Sequence, residues 1–228
     1  RKQDQDGKQQ CEHDIAENGH GRRDHTEHVE LQIHAPDVHG EENDPEHDAP
    51  ADIDPSPADL PRLRAASGLK VVDGAENRTI FFGMDQHRDE LPGSNVKGKN
   101  PLKDVRVRKA LYQAIDIQTL HRVTMRGLSQ PTGALIAPQV NGWTRKVDAR
   151  WPYDVEAARR LLAEAGYPGG FEVDFACPNN RYINDEEICQ AVTAMWARIG
   201  VKAKLRTLPL VTYFPMIQRY EASIYMLG

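Results

Sequence analysis

The residues most suited to holding a ligand are Asn179, Asn180, Arg181 and Tyr182, which lie between an alternating apolar run ending near Cys177 and a helical pattern that starts at Asp185. In open α/β sheets, ligands bind outside the carboxyl ends of strands. A guanidinium at that place can clamp a ligand carboxylate with two parallel hydrogen bonds. The competing reading is a surface loop in which Arg181 pairs with Asp185 or Glu186.

Other chemistry-bearing patterns resolve into architecture. Gly166-Tyr-Pro-Gly-Gly170 is glycine-rich, but it leads from a helix into a strand. A phosphate cradle needs the reverse order, with free backbone N–H groups at a helix start. Neither a GxSxG elbow nor an HExxH pair occurs, so no enzymatic constellation is expected, and no catalytic residue or cofactor. The acidic run Asp185-Glu186-Glu187 sits at a helix start, where the dipole favours it. Trp143, Trp151, Tyr153 and Tyr167 read as packing anchors in a loop-rich stretch, and His121 as a surface or half-buried residue.

Three cysteines, Cys11, Cys177 and Cys189, do not make a disulfide scaffold. A Cys177–Cys189 bridge is open to the chain in an oxidising compartment. Such sparse cysteines are more often buried as separate thiols, and two free thiols are the expectation.

The elements that must position the Asn179–Tyr182 segment follow from periodicity. Residues 57–66 form a short helix with Pro61 in its first turn, where a missing N–H costs nothing. Residues 68–73 and 79–84 are strand candidates, and 87–100 a polar loop. Val107, Ala110, Leu111, Ala114 and Ile115 recur at helical spacing within 104–115. Asp116 starts a second helix that Gly127 ends, and a long loop covers 129–151. Asp154 caps a helix to Ala165, with Gly166 placed for a left-handed cap. Residues 171–176 alternate as a half-buried strand. Asn184 and Glu187 form a capping pair for a helix burying Ile188, Ala191, Val192, Met195, Trp196 and Ile199. Residues 201–207 alternate again, a less regular helix interrupted by Pro215 follows, and residues 223–228 read as a strand cut short. This order predicts an α/β domain with helices packed on a sheet.

Residues 1–52 differ in kind. They hold 5 Lys and Arg against 15 Asp and Glu, whereas the remainder holds 24 against 19. They contain seven of the nine histidines (His13, His20, His25, His28, His34, His39 and His47) and no aromatic residue. Such a composition buries too little apolar surface to offset chain entropy, so disorder is expected. The segment reads as a solvated tail, as a metal-loading tail, or as coding sequence read in a wrong frame; the last is the expectation, because the segment resembles no part of the domain it abuts, and no repeated ligand spacing supports metal. The mild positive balance of the remainder lacks the clustered basic stripe that nucleic acid calls for. No stretch approaches the ~18 apolar residues of a membrane span, and no export signal opens the chain.

Four stretches carry a resemblance: residues 100–116 (NPLKDVRVRKALYQAID), 153–167 (YDVEAARRLLAEAGY), 181–188 (RYINDEEI) and 197–202 (ARIGVK). In order and spacing they resemble family 5 extracellular solute-binding proteins, the peptide, glutathione and nickel receptors of ABC importers. The resemblance covers roughly 55–228. It implies one lobe of a two-lobed periplasmic-binding-protein-like fold (type II, cluster C) that closes on its solute. Residues 101–228 would be the lobe, truncated at its carboxyl end, and 53–100 an approach from the other lobe. The implied protein is a periplasmic or extracellular monomer that captures short peptides and delivers them to an ABC permease, with Arg181 facing the cleft. The rival expectation is a nickel or small-solute carrier of the same fold using the His-rich segment.

Overall fold

The computed structural model describes residues 33–34, 55–74 and 76–228. The disordered, metal-loading and wrong-frame readings of the first 52 residues lie outside the described residues, apart from a two-residue strand, β1 (Ile33–His34), antiparallel to β2 (Lys70–Val71). Between them in sequence lies α1 (Leu60–Ala65), with a proline in its first turn as expected.

A four-stranded mixed sheet organises the rest. Its strands are β3 (Phe81–Met84), β4 (Glu172–Pro178), β5 (Lys202–Leu208) and β6 (Ile224–Leu227), in the order β3-β6-β4-β5. β4 is parallel to both neighbours, Phe175 aligning with Leu205 on one side and Ile224 on the other. β6 is antiparallel to β3, with Phe82 opposite Met226. The terminal apolar run is thus an interior strand of this sheet, and β3, from the segment assigned to the approach, is its edge.

Alternation along β4 distributes two cores. Val173, Phe175 and Cys177 face α2 (Val105–Gln113), α4 (Val155–Glu164) and α5 (Asp185–Ala197), where Leu111, Leu162, Val192 and Trp196 are buried. Successive side chains of a strand point to opposite faces. Ala176 accordingly faces α6 (Leu210–Gln218), against Tyr213 and Met216. β4 is therefore buried on both faces towards its carboxyl end, more than the half-buried strand that its alternation predicts. The first core is centred on edge-to-face and tilted aromatic contacts, offsets that ring quadrupoles favour over a face-to-face sandwich. Phe82, Phe175 and Trp196 have centroids 5.1 to 5.9 Å apart. Trp196 Nε1–H donates to the Leu111 carbonyl at 3.0 Å, so the indole is both buried and satisfied.

The local signals mostly act as chemistry predicts. Asp104, Asp116 and Asp154 accept from backbone N–H groups of Arg106, Thr119 and Ala157, which satisfies donors left over at helix starts. The element after Asp116 is a short α-helix, α3 (Ile117–Thr119), that widens into a π turn over Leu120–Thr124 and ends at left-handed Arg126 and Gly127. His121 is half-buried, with Nδ1 3.2 Å from Ser129 Oγ. Pro215 remains inside α6 without ending it.

Two expectations are corrected. Asn184 and Glu187 do not form a capping pair: Asn184 is left-handed (φ 53°) and its side chain donates instead to the Thr124 carbonyl. Among the aromatic anchors, Tyr167 is buried against Phe171, but Trp151 and Tyr153 stand 51% and 42% exposed. Trp151 packs edge-on against Tyr112 with Lys109 Nζ over its ring.

Candidate functional site

Three parallel strands end together at one edge of the sheet. β4 continues to β5 through α5 on one face, and β5 returns to β6 through α6 on the other. The chain order reverses about β4, and such a switch point leaves a crevice at the carboxyl ends of the strands. Residues 179–184 occupy that place. Asn179 N–H donates to the Leu208 carbonyl at the end of β5 (3.1 Å). Tyr182 Oη–H donates to the Gly228 carbonyl just past β6 (3.3 Å). The loop after β4 is thereby tied to both neighbouring strand ends.

A disulfide closes its base. Cys177 and Cys189 are bridged, with Cα atoms 6.6 Å apart and both residues fully buried. This overturns the expectation of two free thiols. The second turn of α5 packs on the end of β4, which brings the two Cα atoms within bridging distance; a separation of twelve residues does not by itself fix that proximity.

Within the loop, the four expected residues divide by what their side chains do. Asn180 Oδ1 accepts from Leu210 N–H at 2.8 Å and so caps α6, whose own N-cap residue, Pro209, offers no side-chain acceptor. Tyr182 is buried, its ring flanked by the guanidinium carbons of Arg181 at 5.2 Å and Arg78 at 5.6 Å. Asn179 is exposed. Arg181 is half-buried, and its guanidinium makes no hydrogen bond or ion pair among the described residues, whereas Arg78 is paired with Glu76 at 2.6 Å. The alternative in which Arg181 pairs with Asp185 or Glu186 through its side chain is not the arrangement present: the Arg181 backbone N–H donates to Asp185.

Asp185, which the sequence ties to the helix dipole or to a side-chain pair with Arg181, has a different role. It is 3% exposed, and its Oδ2 accepts from both Arg181 N–H (2.9 Å) and Tyr182 N–H (3.0 Å). An acid three and four residues after a polar turn is the signal that marks this role.

Beside the loop, a concavity of about 300 Å³, open to solvent, is lined by Ser56, Asn179, Tyr182, Asp185 and Glu186 among others. Arg181 is not among its lining residues. A second, of about 480 Å³, is lined by Asp85, His87, Arg88 and Tyr220 and shares no residue with the first. Among the described residues, no cluster of three His, Cys, Asp or Glu is placed to hold a metal ion, and no helix is long and apolar enough to cross a membrane.

Comparison with known proteins gives the same architecture a family. Residues 48–228 match the family of bacterial extracellular solute-binding proteins, family 5 Middle. The chain is similar to the dipeptide-binding protein of Escherichia coli strain K12, 30% identical over 183 residues, covering 76% of this chain and 31% of that protein. It is similar to heme-binding protein A of Haemophilus influenzae, 35% identical over 177 residues, covering 76% and 30%. Among solved structures, it superposes on the dipeptide binding protein from Pseudoalteromonas sp. SM9913 in complex with Met-Leu, with a TM-score of 0.62 and 21% identity, covering 76% and 32%. The chain therefore spans about a third of the length of the proteins it matches. With a shared sequence family over more than half its residues and the sheet of a periplasmic binding protein, this chain belongs to the family 5 extracellular solute-binding proteins.

Proposed function

We propose that this chain supplies one lobe of a solute-binding component of an ABC importer, one that captures short peptides by closure of two lobes and does no catalysis. The observation that carries the reading is the Arg181 guanidinium. It lies on a disulfide-based loop at the carboxyl ends of three parallel strands, without a carboxylate partner among the described residues. An unpaired fork of donors at a switch point suits the terminal carboxylate of a peptide. Asn179 flanks it, while Asn180 and Tyr182 shape the loop. Residues 101–228 together with β3 form the lobe, and the part of the 53–100 segment that precedes β3 is the approach to its twin.

The names of two relatives, a dipeptide-binding protein and a structure holding Met-Leu, support the peptide as solute. The extracytoplasmic location, the permease as partner and the monomeric state follow from the same family reading, and the buried disulfide accords with an oxidising compartment.

One lobe holds half of a cleft, so the expected affinity is weak, with a Kd on the order of 1 mM or above. Titration of the ¹⁵N-labelled chain with Met-Leu is expected to shift the Arg181 Nε–H resonance with that affinity. Arg181→Ala is expected to abolish the shifts of neighbouring loop amides. Micromolar binding by the chain alone contradicts the half-cleft reading, and loop shifts that persist in Arg181→Ala contradict the assignment of Arg181.

A further inference from the structure

We propose that Asp185 is the positioning residue for Arg181, a role that rests on the reading of Arg181 as the ligand contact. A single carboxylate controls both ends of the arginine. Its Oδ2 holds the Arg181 N–H and so orients the bond from which the side chain departs. The same oxygen holds the Tyr182 N–H, and the Tyr182 ring is the platform over which the guanidinium lies, 5.2 Å from its centroid. Oδ1 accepts from the Glu186 N–H at 2.9 Å, so both oxygens are engaged.

Left-handed Asn184 makes this possible. Its positive φ turns the chain abruptly into α5, so that the first helical residue reaches back into the loop instead of outwards. Asp185 is 3% exposed and makes no ion pair among the described residues. Its charge is satisfied by backbone N–H groups, which is a favourable way to bury a carboxylate. Because it binds the amide and not the guanidinium of Arg181, it leaves the cation available for a ligand. A loop ordered in advance avoids the entropy cost of ordering when the ligand arrives.

The test uses the full 228-residue chain and Met-Leu as the probe. Amide hydrogen exchange at residues 181 and 182 and the Met-Leu affinity read from the Arg181 Nε–H shift are compared in native, Asp185→Ala and Asp185→Asn proteins. Asp185→Ala is expected to expose both amides and to weaken binding by about tenfold or more. Asp185→Asn keeps an acceptor oxygen for the two amides and is expected to stay within roughly threefold of the native affinity. If Asp185→Ala does not fold, Asp185→Glu replaces it: the added methylene displaces the carboxylate while keeping the charge, and weakened binding is again expected. Native affinity in Asp185→Ala, or in Asp185→Glu where that is used, overturns the positioning role and leaves the Arg181 assignment intact. Native loop shifts in Arg181→Ala overturn the assignment itself. Absence of any Met-Leu shift in the native chain removes both.

Discussion

Cys177 and Cys189 are joined across the loop that carries Arg181, one at the end of β4 and the other in the second turn of α5. The bond ties the sheet to its principal helix at the edge where ligands bind in this class of fold. It encloses Asn179, Asn180, Arg181, Tyr182 and Asp185 in one covalent ring.

Removing the bond is expected to lower stability by about 3 kcal/mol through the entropy regained by the unfolded chain. Denaturant unfolding of the Cys177→Ala, Cys189→Ala double variant against the oxidised native protein measures this. A non-reduced proteolytic digest is expected to contain the two cysteine peptides as one linked species. Two separate thiol peptides contradict the bridge.

Asp85 gives the fold a dependence on acid. Burial pushes its carboxyl up, but the Arg88 side chain and the backbone N–H groups of Arg88 and His87 outweigh this and hold it below the usual aspartate range. A carboxyl lowered in the folded state contributes stability above its unfolded pKa, and that contribution is lost as pH falls through the folded value. Asp85→Asn is therefore expected to cost about 2 kcal/mol at neutral pH, as a charge-assisted hydrogen-bond set does. The gap from the native protein should narrow below about pH 4, where aspartate ordinarily protonates. Thermal melts of both proteins at pH 7 and pH 3 test the sign; a gap that widens in acid rejects it.

Much of this fold is legible in the sequence because its signals are local. The helix starts at Asp104, Asp116 and Asp154 each need only an acceptor within three residues of free N–H groups. The strands at 172–178 and 202–208 show period-two alternation in the very residues that pack on α5. What escapes is set by distance in space. Asn180 caps a helix that starts thirty residues later, and the partners of Cys177 and Asn184 depend on how α5 sits against β4 and the turn at Thr124. Trp151 and Tyr153 mislead for a related reason: aromatic type argues for burial, but exposure depends on which neighbours close over the ring, and none does so fully here.

Gly170 and Gly166 allow strain and steric clash to be told apart. Both are left-handed, at φ 75° and 91°. A Cβ on Gly166 would meet nothing within 4 Å, whereas one on Gly170 would lie 2.0 Å from the Gly200 carbonyl oxygen. Gly166→Ala is expected to cost only the left-handed strain, about 1–2 kcal/mol. Gly170→Ala must in addition force the backbones at Gly170 and Gly200 away from each other, for a total of about 4 kcal/mol with the overpacking cost included. Urea unfolding of the two variants measures the difference, and equal losses contradict the close approach of the loops.

Asn180 supplies the sharpest separation of brace from ligand contact. Its side-chain oxygen is the acceptor for the first N–H of α6, since Pro209 has none to offer. Asn180→Ala is expected to lose about 1 kcal/mol, the worth of a cap, and Asn180→Asp to retain native stability, because aspartate caps as well as asparagine. If Asn180 acts through the fold, Met-Leu still shifts the Arg181 resonance in folded Asn180→Ala with native affinity. Native stability in Asn180→Ala together with lost Met-Leu binding reverses the assignment, and makes Asn180 a direct contact of the solute beside Arg181.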